Sequence, residues 1–255
     1  MTAVFILTDF GTADTYVSQM KGVLLSAVPT GTVLVDLTHS IPPGSVTEGA
    51  FHLFASQKTI PPGSVVLSVV DPGVGTSRRG VVCSSGGIFY VGPDNGLFGL
   101  LDIRKAWALP PAPEGSSCTF HGRDLFAPAA GRLVTDPGWA RSLKKLEVFD
   151  MERSAIQPPA EEEVGLAVTV AHVDGFGNVL LWMDPGKYGE FRPAAAVLPG
   201  GSVREVVRVD TYGDTRGVLF LRGSQGCMEL ALSGGRAADV LGLFPGDRIV
   251  LRENE

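Results

Sequence analysis

The sequence predicts two domains of different class: an α/β domain with a mostly parallel sheet, followed by a smaller all-β domain. The length of 255 residues suits one large domain or two modest ones. Up to about residue 133, short apolar runs alternate with segments whose apolar residues have helical spacing. From about residue 163 onward, the runs have strand periodicity and Gly-rich turns separate them.

Each predicted strand of the α/β domain is a short apolar run that ends at polar or turn residues. Val4–Leu7, Val33–Leu37 and Val65–Val70 are three such runs, and Ile88–Val91 adds a fourth. Continuous apolar runs are typical of parallel strands that are buried on both faces. The alternation of these runs with helical segments favours a parallel sheet that is covered by helices.

Three segments of the α/β domain carry helical patterns. The first begins after Asp14 or Thr15, either of which is a candidate cap, and the second follows a capping-box pattern, Ser45–Glu48. The third is predicted over Asp124–Leu133, with Pro128 in its first turn. The apolar positions that would face the sheet are Tyr16, Met20, Val23, Leu24 and Ala27 in the first helix, and Phe51, Leu53 and Phe54 in the second.

Polar side chains follow the ends of successive predicted strands. Asp9, His39 and Asp71 each fall just past the carboxyl end of a strand, and the turn-rich loop Gly92–Gly96 follows the fourth strand. In open α/β sheets the crevice at that edge binds ligands. We therefore expect chemistry at the carboxyl edge of the sheet.

The second domain is predicted to consist of short strands. Charged clusters and Pro158-Pro159 precede it and predict a linker at 151–162, between an α/β domain at 1–150 and a β domain at 163–255. The predicted strands are Val164–Val173, Asn178–Met183, Ser202–Val209, Val218–Arg222 and Arg248–Leu251.

Composition excludes several classes of partner. The net charge is −6 and the basic pairs are isolated, which disfavours nucleic acid. The chain has no apolar stretch near the ~20 residues of a membrane span, and its first residues lack a basic signal-peptide region. Three scattered cysteines, Cys83, Cys118 and Cys227, predict buried thiols and a reducing cytoplasm, and their spacing is not that of a metal site.

The segment VVDPGVGTSRR (69–79) places an acid, a Gly-rich loop and two arginines directly after a strand. It is neither a Walker motif nor a dinucleotide fingerprint, because the required Gly-Lys and Gly-x-Gly-x-x-Gly patterns are missing. Gly73 and Gly75 could serve only a turn, and Arg78 and Arg79 could be solvated surface charges. Alternatively, one arginine folds back over the crevice beside Asp71.

Two further segments carry an aromatic residue beside a polar one. In Phe120-His-Gly-Arg-Asp124 the histidine is structural or functional, and the neighbouring glycine favours function because it permits close ligand approach. Asp174-Gly-Phe-Gly-Asn178 is either a plain hairpin turn or a site where Phe176 stacks on a flat heterocycle and Asn178 hydrogen-bonds to it. The residues alone leave both alternatives open.

Taken together, these segments resemble the S-adenosylmethionine hydroxide adenosyltransferases, the water-using branch of the fluorinase/chlorinase superfamily. The resemblance covers nearly the whole chain and implies an α/β domain, a barrel-like β domain and a homotrimer with active sites between subunits. The matching stretches are LTDFG (7–11), HSIPPG (39–44), VVDPGVGTSRR (69–79), VGPDNGLF (91–98), FHGRD (120–124), DGFGNV (174–179) and the residues around Ser224 and Glu229.

The resemblance implies a catalytic triad of Asp71, Arg78 and His121. The halogenase branch differs there, with non-ionising residues at the first two positions and commonly an aromatic at the third, so an intact triad favours water over halide. The fluorinases also carry a tryptophan where this chain has Gly44. The implied substrate contacts are Asp9 at the ribose, Phe120, Phe176 and Asn178 near the nucleoside, and Tyr212, Ser224, Glu229 and backbone around Leu232 at the methionine end.

The expected reaction is therefore hydrolysis of S-adenosylmethionine at the ribose C5′, giving adenosine and methionine with no cofactor and no metal. Three alternatives remain at this point. They are a 5′-halogenase of the same superfamily, a non-catalytic module that binds S-adenosylmethionine or adenosine, and a metal-dependent phosphohydrolase that uses Asp9, Asp14, Asp71 and His121.

Overall fold

The computed structural model describes residues 3–213 and 216–253, and the chain divides into two compact units, Met1–Ser154 and Ala155–Glu255. The first unit has the predicted α/β class and the second is the predicted small β domain. No helix in these ranges is both long enough and apolar enough to span a membrane.

The described strands of the first unit form one mixed sheet in the order β2-β1-β3-β5-β4-β6-β7. The neighbouring strands β2, β1, β3 and β5 pair in parallel, and the remaining pairs are antiparallel. The strands are β1 (Ala3–Thr8), β2 (Val33–Thr38), β3 (Val65–Val69), β4 (Gly80–Ser85), β5 (Ile88–Pro93), β6 (Lys105–Ala108) and β7 (Lys144–Leu146).

Helices cover both faces of this sheet. They are α1 (Tyr16–Ala27), α2 (Val46–Ser56) and α3 (Ala127–Thr135), and a π-helical turn, Gly122–Phe126, leads into α3. Ile6 of β1 belongs to the apolar cluster that contains residues of α1 and α3, whereas its neighbour Leu7 belongs to the cluster that contains α2. The alternation of side chains along one strand therefore supplies both halves of the core.

The predicted apolar face of α1 and the predicted capping of α1 and α2 are wrong in part. Tyr16 and Ala27 are exposed, and the buried positions of α1 are Val17, Met20 and Leu24. Thr15 and Ser45 occupy the cap positions of α1 and α2, but neither side chain makes a capping hydrogen bond. The tertiary contacts of the buried faces therefore fix these helices without the predicted caps.

The second unit is a barrel closed by seven of its described strands, in which β9 pairs with both β10 and β15. Its apolar core lies inside the barrel and under α5. The elements are β8 (Ala160–Glu162), β9 (Gly165–Val173), β10 (Val179–Leu181), α4 (Pro185–Tyr188), β11 (Pro193–Val197), β12 (Val203–Arg208), β13 (Val218–Arg222), β14 (Met228–Leu232), α5 (Ala237–Leu241) and β15 (Arg248–Glu253). The end of the predicted linker is thus the short strand β8, which pairs with β9.

The three cysteines are free thiols. Cys83 and Cys227 are buried, as predicted, but Cys118 is exposed. Cys118 differs because it lies in the irregular segment between β6 and the π-helical turn, whereas Cys83 belongs to the central strand β4.

Candidate active site

The parallel strands bring three predicted side chains to one edge of the sheet. Asp9, His39 and Asp71 lie just past the carboxyl ends of β1, β2 and β3, as the strand pattern predicts. The Oδ2 atom of Asp9 accepts a hydrogen bond of 2.7 Å from the backbone N–H of Gly44. His39 is buried, and its Nδ1 lies 2.8 Å from the hydroxyl oxygen of Thr8. These contacts tie the edge loops to one another.

The 71–79 loop is a tight turn between β3 and β4. Within it, the N–H of Val74 donates to the carbonyl of Asp71, and the N–H of Thr76 donates to the carbonyl of Gly73. Gly75 has a φ of +78°, and a Cβ there would lie 2.6 Å from the carbonyl oxygen of Cys118. The loop therefore needs glycine at 75, both for its backbone conformation and for its close approach to the segment before His121. Gly73, by contrast, has no positive φ.

Arg78 joins Asp71 to His121. Its Nε lies 3.0 Å from each carboxylate oxygen of Asp71, and one terminal nitrogen donates to Oδ2 at 2.5 Å. The same terminal nitrogen lies 2.8 Å from Nδ1 of His121. The side chains of Arg78 and Asp71 are only 10% and 5% exposed, so Arg78 is not a solvated surface charge.

This arrangement fixes the hydrogen on the His121 ring. A guanidinium has only donors, so the contact with Arg78 requires Nδ1 of His121 to accept and leaves the hydrogen on Nε2. The guanidinium also lies over the ring of Phe126, 5.1 Å from its centroid. The site thus presents a fixed guanidinium and a neutral imidazole whose Nε2–H can donate.

The charge state of His121 gives a pH prediction. Burial and, next, the positive charge of Arg78 lower the pKa of His121 below 6.5, while Asp71 and Asp124 oppose the shift. We expect activity to fall as the pH drops through this lowered pKa, because protonated Nδ1 would face a guanidinium. An acid limb of the pH–rate profile above pH 6.5 would contradict this.

The same shift has a defined effect on stability. Between the lowered pKa and 6.5, the unfolded chain takes up a proton at His121 that the folded chain does not. His121 therefore makes the folded state less stable as the pH falls through this window. NMR titration of the ring would measure the pKa directly.

Phe120 forms part of an aromatic groove beside His121. Its buried ring packs edge-on against Tyr16 and Phe10, with centroids 5.2 and 5.9 Å apart, and Arg123 lies over it at 5.0 Å. The groove has a volume of about 370 Å³, and its lining residues are Phe10, Tyr16, Gln19, Ser117, Thr119, Phe120 and Arg123. The sequence assigned Tyr16 to the core because its spacing is helical, and its exposure in the groove was missed.

Arg79 is 40% exposed, as its interpretation as a surface charge predicts, but it is also paired. Its Nε and a terminal nitrogen lie 3.0 and 2.6 Å from Oδ2 of Asp94, whose side chain is 1% exposed. The same terminal nitrogen donates to the carbonyl of Asp150 at 2.6 Å. Asp94 was missed as an important residue, although it follows β5 as Asp71 follows β3, and the same strand-end argument would have found it.

The Asp174–Asn178 segment is a hairpin turn built around its acid. Asp174 Oδ1 accepts from the backbone N–H groups of Phe176 and Asn178 at 2.9 Å, and its Oδ2 accepts from the Asn178 side-chain amide at 3.1 Å. Asn178 is buried, whereas the Phe176 ring is 81% exposed. These hydrogen bonds are those of a hairpin turn, and the turn leaves the aromatic face of Phe176 exposed at its tip.

A second acidic group of the barrel lies close to this turn. Tyr212 donates its hydroxyl to Oε1 of the buried Glu229, and burial raises the pKa of both groups. The negative charge of Asp174 raises the pKa of Glu229 further. Ser224 is exposed in the β13–β14 turn, and Leu232 is half-buried at the end of β14. The second unit therefore clusters two carboxyl groups, and among the described residues neither is paired with a basic side chain.

The geometry of the first unit disfavours the metal-site alternative. Both oxygens of Asp71 accept from Arg78, and one oxygen of Asp9 accepts from a backbone N–H. Within the described residues, Asp9, Asp14, Asp71 and His121 do not supply three ligand atoms within 4.8 Å of one another. Of these four residues, Asp71 and His121 belong to an acid–guanidinium–imidazole chain through Arg78.

Comparison with known proteins gives a consistent family. Models of the SAM hydroxide adenosyltransferase N-terminal and C-terminal domains match residues 4–141 and 168–250. An (R)-S-adenosyl-L-methionine hydrolase of Salinispora tropica is 40% identical over 95% of this chain and 94% of its own. A fluorinase of Nocardia brasiliensis is more distant, at 27% identity over 69% of each chain.

A solved structure shows the same fold. An uncharacterized conserved protein from Thermotoga maritima superposes with a TM-score of 0.86 at 28% identity, covering 97% of this chain and 99% of that one. The domain matches, the near full-length relative and this structure agree with one another. The chain belongs to the SAM hydroxide adenosyltransferase family.

Proposed function

We propose that the chain is an enzyme that hydrolyses S-adenosyl-L-methionine at the ribose C5′, giving adenosine and L-methionine. The observation that carries the proposal is the chain of contacts from Asp71 through Arg78 to His121 at the carboxyl edge of the sheet. The (R)-S-adenosyl-L-methionine hydrolase that matches nearly the whole chain supports the same activity.

The reaction requires catalysis at the nucleophile more than at the leaving group. The C5′ carbon carries a sulfonium, so methionine departs as a neutral thioether when the carbon–sulfur bond breaks and needs no acid. Water is a very weak acid in bulk, so little hydroxide is present at neutral pH, and neutral water is a weak nucleophile. As the oxygen–carbon bond forms, the attacking water loses a proton, which passes to solvent. An enzyme for this reaction must therefore orient water and stabilise its partial negative charge.

The three side chains are proposed to divide this task. Arg78 stabilises the developing negative charge, an effect worth about 3–4 kcal/mol per donor in comparable sites. His121 orients the water through its Nε2–H, because its Nδ1 already accepts from Arg78. Asp71 holds the guanidinium and balances its charge. On this assignment His121 positions the water and does not serve as the base that deprotonates it.

Residues of both units are proposed to hold the substrate. In the first unit, Asp9 contacts the ribose hydroxyls and Phe120 packs beside the nucleoside. In the barrel, Phe176 stacks on adenine and Asn178 uses its side-chain carbonyl oxygen, since its side-chain N–H already donates to Asp174. The methionine end of the substrate contacts Tyr212, Ser224, Glu229 and backbone around Leu232. The carboxyl groups of Glu229 and the nearby Asp174 suit the ammonium group of the substrate.

Isotopic labelling tests the reaction. In ¹⁸O-water, we expect the label in the 5′-hydroxyl of adenosine and none in methionine, because water attacks carbon and the carbon–sulfur bond breaks. Mass analysis of both products measures this. Label in methionine, or in neither product, would reject substitution by water at C5′.

The remaining alternatives predict different products. A halogenase would form 5′-halo-5′-deoxyadenosine when halide is supplied at high concentration, and a binding module would retain S-adenosylmethionine without turnover. The Asp71–Arg78 ion pair favours water, because the carboxylate offsets the attraction of the guanidinium for an anionic halide. A chelator-treated preparation should keep its activity, which the metal-dependent alternative does not allow.

We further propose a homotrimer with active sites between subunits, working in the cytoplasm without a cofactor. What supports this proposal is the family resemblance of the sequence, which implies such a trimer. Light scattering would give the mass in solution, and a monomer that retains full activity on dilution would reject the proposal.

A further inference from the structure

The path of the 71–79 loop follows from the strand order. The loop leaves the end of β3 and enters β4, but β5 lies between these two strands in the sheet. β5 runs parallel to β3 and antiparallel to β4, and Pro93 at its end pairs with Gly80. The loop must therefore cross over the carboxyl end of β5, where the residues after Pro93 emerge beneath it.

The start of the loop is held by Asn95. Its side-chain amide donates to the carbonyl of Val70 at 2.9 Å, one residue before the proposed catalytic acid. Its Oδ1 accepts from the N–H of Leu97 at 3.2 Å, which fixes the orientation of the amide. Asn95 thus joins the end of β3 to the turn that follows β5.

The end of the loop is held by Asp94. The side chain of Asp94 forms an ion pair with the side chain of Arg79. In addition, the backbone N–H of Asp94 donates to the carbonyl of Arg79 at 2.9 Å. The other carboxylate oxygen of Asp94 accepts from the N–H of Glu152 at 3.0 Å. Because Asp94 is buried and held by three groups, it fixes Arg79 in place, and Arg78 is the adjacent residue.

We infer that Asp94 and Asn95 are positioning residues for the proposed reaction: together they hold both ends of the 71–79 loop and so set where the Arg78 guanidinium lies between Asp71 and His121. Neither side chain contacts a member of the triad, and each acts through the residue next to one. The expected effect of these residues on turnover rests on the proposed function. The contacts that Asp94 and Asn95 make do not depend on that function.

Two substitutions that keep the shape of the side chain test this inference. Asp94→Asn removes the charge that binds Arg79, and Asn95→Asp removes the donor to Val70. We expect each to lower kcat about 10-fold or more with little change in KM, since small displacements of a catalytic group are costly. Asp94→Glu, which restores the charge, should recover part of the lost kcat.

The control is Asp136→Ala. It removes a hydrogen bond to the N–H of Gly138 that caps a short helix after α3, in the same unit but outside the loop. We expect a loss of stability and an unchanged kcat. A kcat that fell equally in the control would overturn the inference, because the effect would then follow from general loosening of the unit.

NMR of ¹⁵N-histidine protein supplies a readout that does not depend on activity. In the parent protein, His121 should be the Nε2–H tautomer, and in Asp94→Asn its Nδ1 signal should shift as Arg78 withdraws. An active parent whose Asp94→Asn and Asn95→Asp variants keep both kcat and the His121 signals would overturn the inference. A parent that makes no adenosine would reject the proposed function, and the NMR comparison would still decide the positioning role.

Discussion

Turnover is expected to fall about 10²-fold or more when Arg78 is replaced by alanine, with little change in KM. The magnitude is that of losing one preorganised electrostatic stabiliser. Substrate binding should persist, because the proposed adenine and methionine contacts belong to the barrel. Steady-state kinetics at a temperature where the variant remains folded would separate kcat from KM.

Arg78→Lys should restore little of this activity. The donors of an ammonium all leave one nitrogen, so it does not reproduce the planar fork with which the guanidinium contacts both oxygens of Asp71 and Nδ1 of His121. The matched control is Arg104→Ala, since Arg104 is an exposed arginine of the same unit that pairs with Asp102. Equal small effects at both arginines would mean that the 71–79 loop is only structural, and the binding-module alternative would gain support.

Asp71→Ala is expected to lower both turnover and stability. The Asp71 and Arg78 side chains are almost fully buried, so alanine at 71 leaves a guanidinium without its counter-ion. Removing one partner of a buried ion pair typically costs about 3–5 kcal/mol. Urea denaturation followed by circular dichroism would measure the change in the free energy of unfolding.

A double-mutant cycle provides the control for this result. Asp71→Ala combined with Arg78→Ala should be less destabilised than the sum of the two single variants, because the second substitution removes the uncompensated charge. Strict additivity would show that the two side chains do not stabilise one another. Such a result would weaken the proposed triad independently of any activity measurement.

The sequence was sufficient for the parts of the fold that local pattern controls. The runs at Val4, Val33 and Val65 are parallel strands with the expected ends, because continuous apolar runs and alternating helices leave few other arrangements. The strands β4, β6, β7, β8, β11 and β14 were missed. β4 and β14 each pair with the strand next to them in sequence across a short turn, but β14 contains the acidic Glu229, which only the assembled barrel buries.

Residue pairing could be predicted from sequence only in part. Asp71 and Arg78 are seven residues apart, so a tight loop was enough to suggest their contact. The pairing of Arg79 with Asp94 depends on the register of β4 against β5, which are joined at Gly86-Gly87, and the sequence analysis did not predict β4. For this reason the sequence left Arg79 as a candidate surface charge, although its partner is among the most buried carboxylates of the unit.

The crossing of the 71–79 loop over β5 also has a consequence for the order of folding. The contact between Asp71 and Arg78 spans seven residues, that between Arg79 and Asp94 spans 15, that between Val70 and Asn95 spans 25, and that between Arg78 and His121 spans 43. Loop-closure entropy makes the longest of these contacts about 1.6 kcal/mol costlier to close than the shortest. The pair of Asp71 and Arg78 should therefore form first, and the contacts of Asp94 and Asn95 with the loop ends should form next. The contact of Arg78 with His121 should form last. In refolding experiments, recovery of catalytic activity should lag behind formation of the sheet.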